Sequence, residues 1–92
     1  MNRFLLFLSL SLLSIAGFTA NIVWTNGNGT GVWNDAANWS AGVPGPADYA
    51  IFNTTSTDDC LIDISIDVRG ITLQTGYTGT VTQDVGNSII VR

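Results

Sequence analysis

Seven aspartates are the only acidic side chains in this 92-residue chain, which has no glutamate, no lysine and no histidine. Without histidine or lysine, neither a Ser-His or Cys-His nucleophile pair nor a lysine-based catalyst can be assembled, so acid–base chemistry would have to rest on paired aspartates. Glycoside hydrolysis needs two carboxyl groups about 5 to 9.5 Å apart. Asp63 and Asp67 sit on one face of what reads as a single strand, which separates them by about 13 Å at the usual rise. The 23-residue offset of an internal repeat would place Gly86 and Ile90 beside them. Asp58 and Asp59 are adjacent and read as a solvated acidic turn, and Asp48, following Pro44-Gly45-Pro46, reads as the side chain that closes a turn. These readings leave no acid–base pair: no catalytic residue and no cofactor-binding residue is assigned, and the expectation is a non-enzymatic protein.

Calcium is the one metal with hard oxygen ligands in reach, on Asp58, Asp59 and the Asn26–Gly29 loop. Neither an EF-hand nor a glycine-rich calcium repeat accompanies them, and no metal site is assigned. Cys60 is the sole cysteine and forms no internal disulfide; with no cationic neighbour in sequence it reads as a small buried strand residue. All three tryptophans, Trp24, Trp33 and Trp39, fall within Val23–Phe52, among glycines and asparagines and ahead of Pro44-Gly45-Pro46. Two uses fit them: a platform of rings for stacking sugars, or packing inside a cap. Rings held between so many turn formers favour packing. Asn28-Gly29-Thr30, Asn38-Trp39-Ser40 and Asn53-Thr54-Thr55 are formal glycosylation sequons.

The elements that must position these residues are short strands. A net charge of −4, with no basic cluster, excludes a nucleic-acid footprint or attraction to an anionic bilayer. Abundant Thr, Val, Ile, Gly and Asn point to an all-β chain with little helix. Residues 1–20 read as a signal peptide, with Arg3, an apolar run Phe4–Leu13 and small residues at Ser14, Ala16, Gly17 and Ala20. That run is too short to span a bilayer, which takes about 20 apolar residues. The expected product is secreted or at the cell surface and does not span the membrane after cleavage, which fits after either Ala16 or Ala20.

Residues 21–60 read as the Trp/Gly/Pro-rich cap and lead-in loop, and 61–92 as the first β-solenoid coils. Ile62, Ile64, Ile66 and Val68 alternate with Asp63, Ser65 and Asp67 as one strand with a buried face. Arg69-Gly70, Gly76–Gly79 and Asp84–Asn87 then separate three more strands. Ser65-Ile66-Asp67-Val68-Arg69 and Ser88-Ile89-Ile90-Val91-Arg92 match at four of five positions, 23 residues apart. That is the length of one coil of a solenoid, in which each strand pairs with its equivalent in the next coil. The second copy stops at Arg92, which predicts a truncated solenoid with an open strand edge and self-association through it.

Trp24, Gly27/Gly29, Trp33-Asn34, Asn38-Trp39, Gly42-Val43-Pro44, Asp48 and Ile51-Phe52, with the strand and Gly-Tyr-Thr-Gly-Thr turn that follow, form a pattern. It resembles the N-terminal segment of large exported bacterial repeat proteins, the right-handed parallel β-helix and autotransporter-passenger-like surface proteins. The resemblance covers Val23–Val91 and implies a surface or secreted stalk, with a surface polysaccharide or protein as partner. An adhesion or structural role follows from it; the alternative is the leader portion of a polysaccharide-active β-helix enzyme whose catalytic residues lie beyond Arg92.

Overall fold

A computed structural model describes residues 19–92. The signal peptide expected at 1–20 therefore lies, apart from Thr19 and Ala20, outside the described residues. Within them the protein is all-β: seven short strands and a single 3₁₀ turn at Ala36–Asn38. The strands are β1 (Ala20–Val23), β2 (Asp48–Phe52), β3 (Cys60–Ile62), β4 (Ile66–Val68), β5 (Gly70–Leu73), β6 (Val81–Gln83) and β7 (Ile89–Val91). Among the described residues no helix is long and apolar enough to cross a membrane.

The named strands pair in parallel throughout. β2 lies between β1 and β5, with Ile22 beside Ala50 and Ala50 beside Ile71. β3 pairs with β6, Cys60 beside Val81, and β4 pairs with β7, Ile66 beside Ile89. The β3 ladder extends backwards through a parallel bridge between Val32 and Leu61, so this face too is three segments deep. Parallel neighbours need long connections between them, and here each spans a circuit of the chain: β2, β3 and β4 pair in the same order with β5, β6 and β7.

The alternation from Ile62 to Val68 forms two strands and not the single one expected. Chain direction changes at Asp63–Ser65, and Ile64, on the apolar phase of the pattern, is 38% exposed at this corner. Polar bonds hold the corner: Asp63 Oδ1 accepts from Asn34 N, and Ser65 Oγ accepts from Ser88 N. Five strands rather than four thus follow residue 60. The 23-residue offset holds for β4 and β7 only; β2 to β5 and β3 to β6 are offset by 21. With the shorter offset, Asp84 follows Gln83 into line with Asp63, its N–H donating to Ile62 O, so Asp84 and not Gly86 is the neighbour of Asp63. Residues 21–60, expected as cap and lead-in loop, contribute strand as well: β2, Asp-Tyr-Ala-Ile-Phe, is the middle strand of the three-stranded sheet. Tyr49 pairs with Gly70, where a Cβ would come within 2.7 Å of the Tyr49 ring, so the aromatic ring lies across a position that only glycine leaves open.

The core runs down the inside of the stack. Ile22, Ala50, Phe52, Cys60, Ile62, Ile66 and Val68 are buried there with the three tryptophans, and Ile71, Tyr77, Val81 and Ile89 pack on it from the last layer, partly exposed. On the β1 side, Asn38–Ser40 returns antiparallel along the strand. Ser40 N donates to Val23 O, Val23 N to Ser40 Oγ, and Thr25 N and Asn26 N both to Asn38 O. The edge of β1 away from β2 is therefore occupied from Val23 onward.

Candidate functional site

The tryptophans converge on one another. Trp39 meets Trp24 at 5.1 Å and Trp33 at 4.7 Å between ring centroids, both edge-on, and reaches Phe52 at 5.7 Å. Edge-on contacts match the positive ring edge to the negative ring face. Trp39 Nε1 donates to Trp33 O, and Trp24 Nε1 to Asp58 O. Trp33 Nε1 is buried without a partner. Trp24 and Trp33 are wholly buried and Trp39 nearly so. Stacking on a sugar needs an exposed ring face, and these three residues offer none; their place is in the packed interior.

Around this cluster lies a polar network in the loop between β1 and the 3₁₀ turn. Asn38, wholly buried, is its hub: Oδ1 accepts from Asn28 N, and Nδ2 donates to Thr30 Oγ1 at 2.8 Å and Val32 O at 3.0 Å. Asp35 caps the 3₁₀ turn by accepting from Ala37 N. Its other oxygen accepts from Asn28 Nδ2 and Thr30 Oγ1, bonds that hold its carboxyl below the usual aspartate range. Asn26 takes a left-handed φ of 47°. Gly27 packs so that a Cβ would stand 2.7 Å from Ala37 O. The sequence does not reveal this network: there Asn28 belongs to a sequon and to the Asn26–Gly29 loop of oxygen ligands, and Asn38 to a sequon and to the Asn38-Trp39 pair of the resemblance. Its visible signal is the density of Asn, Thr and Gly ahead of Asp35-Ala36-Ala37-Asn38, side chains that bond to nearby backbone in turns.

Each aspartate is engaged as an acceptor. Asp48 closes the Pro44–Asp48 turn by accepting from Gly45 N, as its position predicts. Asp58 and Asp59 do not act together: Asp58 Oδ2 accepts from Asn26 Nδ2, back toward the first layer, whereas Asp59 Oδ1 accepts from Thr80 N in the layer ahead. Both are exposed, as a solvated acidic turn requires, and they also join successive layers. Asp63 lies in the corner itself and Asp67 in β4, so they do not share one strand; Asp67 forms a two-pronged pair with Arg92, at 2.7 and 2.6 Å. That pair lowers the Asp67 carboxyl and raises the Arg92 guanidinium. Asp84 accepts from the next backbone N–H, that of Val85.

A cation has no prepared place at Asp58 and Asp59. Asn26 Oδ1 is taken by Gly31 N, which turns the amide N–H2, a donor, toward Asp58. Among the described residues no group of three or more His, Cys, Asp or Glu side chains could hold a metal ion. Cys60 is buried at the start of β3, where burial first and then Asp63 push its thiol up to about 12, leaving almost no thiolate for chemistry near neutrality. Burial and the nearby Cys60, Asp59 and Asp58 likewise push the Tyr77 phenol up to about 12, so its hydroxyl stays a donor, to Asp58 O at 2.8 Å.

The depressed carboxyls give a pH dependence with a definite sign. A carboxyl whose folded pKa lies below its unfolded one, near 3.9, contributes stability that is present above that pH and lost as the pH falls through the folded value. Asp35 and Asp67 both fall in this class. The native chain is expected to melt at a lower temperature as the pH drops below about 4. Asp35→Asn combined with Asp67→Asn is expected to flatten that slope, and an unchanged slope in thermal melts would refute the assignment.

No protein-family model, curated protein or solved structure matches this chain.

Proposed function

We propose that this chain is an exported, non-enzymatic β-solenoid segment that works at the cell surface or outside the cell as an adhesive or structural stalk. The observation that carries the reading is the order of pairing. Three successive strands, β2, β3 and β4, each lie parallel to the equivalent strand of the next circuit, β5, β6 and β7. Stacking of this kind extends by repetition, which suits a protein that spans distance. The Trp-rich segment acts as the cap, its residues Asn38–Ser40 lying on the outer edge of β1. The kinship proposed with the N-terminal segments of exported bacterial repeat proteins rests on the same stacking and on the Trp/Asn-Trp/Pro/Asp pattern. A non-enzymatic role is supported by the aspartates, whose carboxylates hold turns and join layers. Its partner would be a surface polysaccharide or protein.

Expression of the full chain in a secreting bacterium tests the reading. The expected product is processed and found outside the cytoplasm, and it turns over no member of a polysaccharide panel. Recovery of the intact Met1 chain from the cytosol would end the export reading. Turnover abolished by Asp58→Asn or Asp59→Asn would restore catalysis to this segment.

A further inference from the structure

We propose that Asn28-Gly29 is a site at which the folded protein deamidates itself, and that Asn26-Gly27, the same pair two residues earlier, is held out of the reaction by its place in the loop. Of the chain's asparagines only these two are followed by glycine. Glycine has no Cβ to obstruct its own backbone nitrogen, and asparagine is among the thermally labile side chains. In the reaction the Gly29 nitrogen, its proton taken by hydroxide, attacks Cγ of Asn28. The N–Cγ bond forms, the Cγ–Nδ2 bond breaks and ammonia leaves. Water then opens the succinimide ring at either carbonyl, which leaves aspartate or isoaspartate at position 28.

The two pairs differ in what must open first. Asn26 sits at a left-handed φ of 47°, and its side chain is bonded at both ends: Oδ1 accepts from Gly31 N and Nδ2 donates to Asp58 Oδ2, each at 2.9 Å. Asn26 N donates to Asn38 O and Gly27 N to Thr25 Oγ1, and Gly27 is pressed against the carbonyl of Ala37. Swinging Cγ of Asn26 onto Gly27 N therefore takes apart contacts to several separate segments, which amounts to opening the cap. Asn28 is exposed. Its side chain makes one bond among the described residues, Nδ2 to Asp35 Oδ2 at 2.9 Å, and Gly29 N–H makes one, to Asn26 O at 2.9 Å. Gly29 has open space where a side chain would stand. Breaking two hydrogen bonds at the tip of the loop releases this pair.

The product works against the loop that made it. An amide that donates to Asp35 becomes a carboxylate, so two acceptors of like charge face each other across a hydrogen-bond distance. Isoaspartate also inserts a carbon into the backbone, which pulls on the bond from Asn28 N to the buried Asn38 Oδ1. Deamidation at position 28 thus loosens the polar hub in a step that does not reverse.

The test is to age the protein recovered after expression of the full chain at mildly alkaline pH, with and without enough urea to unfold it, and to measure conversion at each asparagine by peptide mass spectrometry. In urea Asn26 and Asn28 should react at similar rates. Without urea Asn28 should react at least about tenfold faster than Asn26, as expected when the second pair needs one or more further bonds broken. The aged protein should melt below the fresh protein, in proportion to conversion at position 28, and Asn28→Gln should remove that ageing effect. Equal rates in the folded protein, or conversion at Asn26 ahead of Asn28, would overturn the proposal. So would a folded protein in which Asn28 stays intact over a time that converts it in urea, or a chain that reacts at neither site in urea. The proposal is separate from the stalk reading, because these rates are measured whether or not the chain is exported.

Discussion

Replacing Trp39 with alanine is expected to unfold the protein. Its ring is the meeting point of Trp24, Trp33 and Phe52, its indole N–H donates to Trp33 O, and its backbone bridges Trp24, the residue that follows β1. Truncating a buried tryptophan costs about 3–5 kcal/mol through lost transfer energy and the cavity left behind. At the usual 0.05–0.15 kcal/mol per residue, the 74 described residues carry roughly 4–11 kcal/mol in total. The loss is therefore comparable to the whole stability. The emission of Trp24 and Trp33 should shift to that of water-exposed indole without denaturant. Trp39→Phe keeps most of the ring and gives up the bond to Trp33 O, worth about 1 kcal/mol, and should stay folded with a lower urea midpoint. A Trp39→Ala protein melting at the native midpoint would show that the cluster does not hold the fold together.

Asn38→Asp is expected to be nearly as damaging, and to reverse the pH trend. The side chains have almost the same shape, but aspartate puts an acceptor where Asn38 Nδ2 now donates to Thr30 Oγ1 and Val32 O. Thr30 cannot turn to donate, because its hydroxyl proton already goes to Asp35. An uncompensated buried carboxylate costs about 3–5 kcal/mol. Burial and the facing acceptors raise its pKa in the folded state above the unfolded value. The sign is then opposite to that of Asp35 and Asp67: the variant is least impaired below about pH 4, where the carboxyl is neutral in both states, and loses stability as the pH rises. Asn38→Ala removes the same bonds without a titrating group and should show no such reversal. Urea melts of the three proteins at pH 3 and pH 7, about one unit below and three above the ordinary aspartate value, separate these outcomes. An Asn38→Asp protein that follows the native pH trend would refute the buried network.

The residue content determined the class of fold and much of the local chemistry. Few helix formers, β-branched residues in alternation and glycine-bearing turns leave short strands as the way to bury this chain, and the structure is all-β. Asp48 closing its turn was readable because donor and acceptor lie three residues apart. Burial of the tryptophans follows from large rings set among turn formers. β2 was readable in principle, since Asp48–Phe52 is a short apolar run between a proline turn and Asn53-Thr54-Thr55; the surrounding glycines and prolines drew the whole stretch into a loop.

Only tertiary structure decided how the strands and aspartates are shared between layers. An alternation of period two says which side chains lie on one side of a strand, and it does not reveal that the chain turns a corner at Asp63–Ser65. The corner exists because Asn34, 29 residues earlier, and Ser88, 23 later, supply its bonds. Asp58 and Asp59 illustrate the same point: adjacent in sequence, they bond 32 residues back and 21 forward. Asn38 became a hub only when the loop closed over it and removed water, which made each of its hydrogen bonds costly to lose. Sequence neighbours carry no trace of such partners, because a hydrogen bond is specified by distance and direction in space, and in this chain those are set by the circuit that returns each strand beside its equivalent.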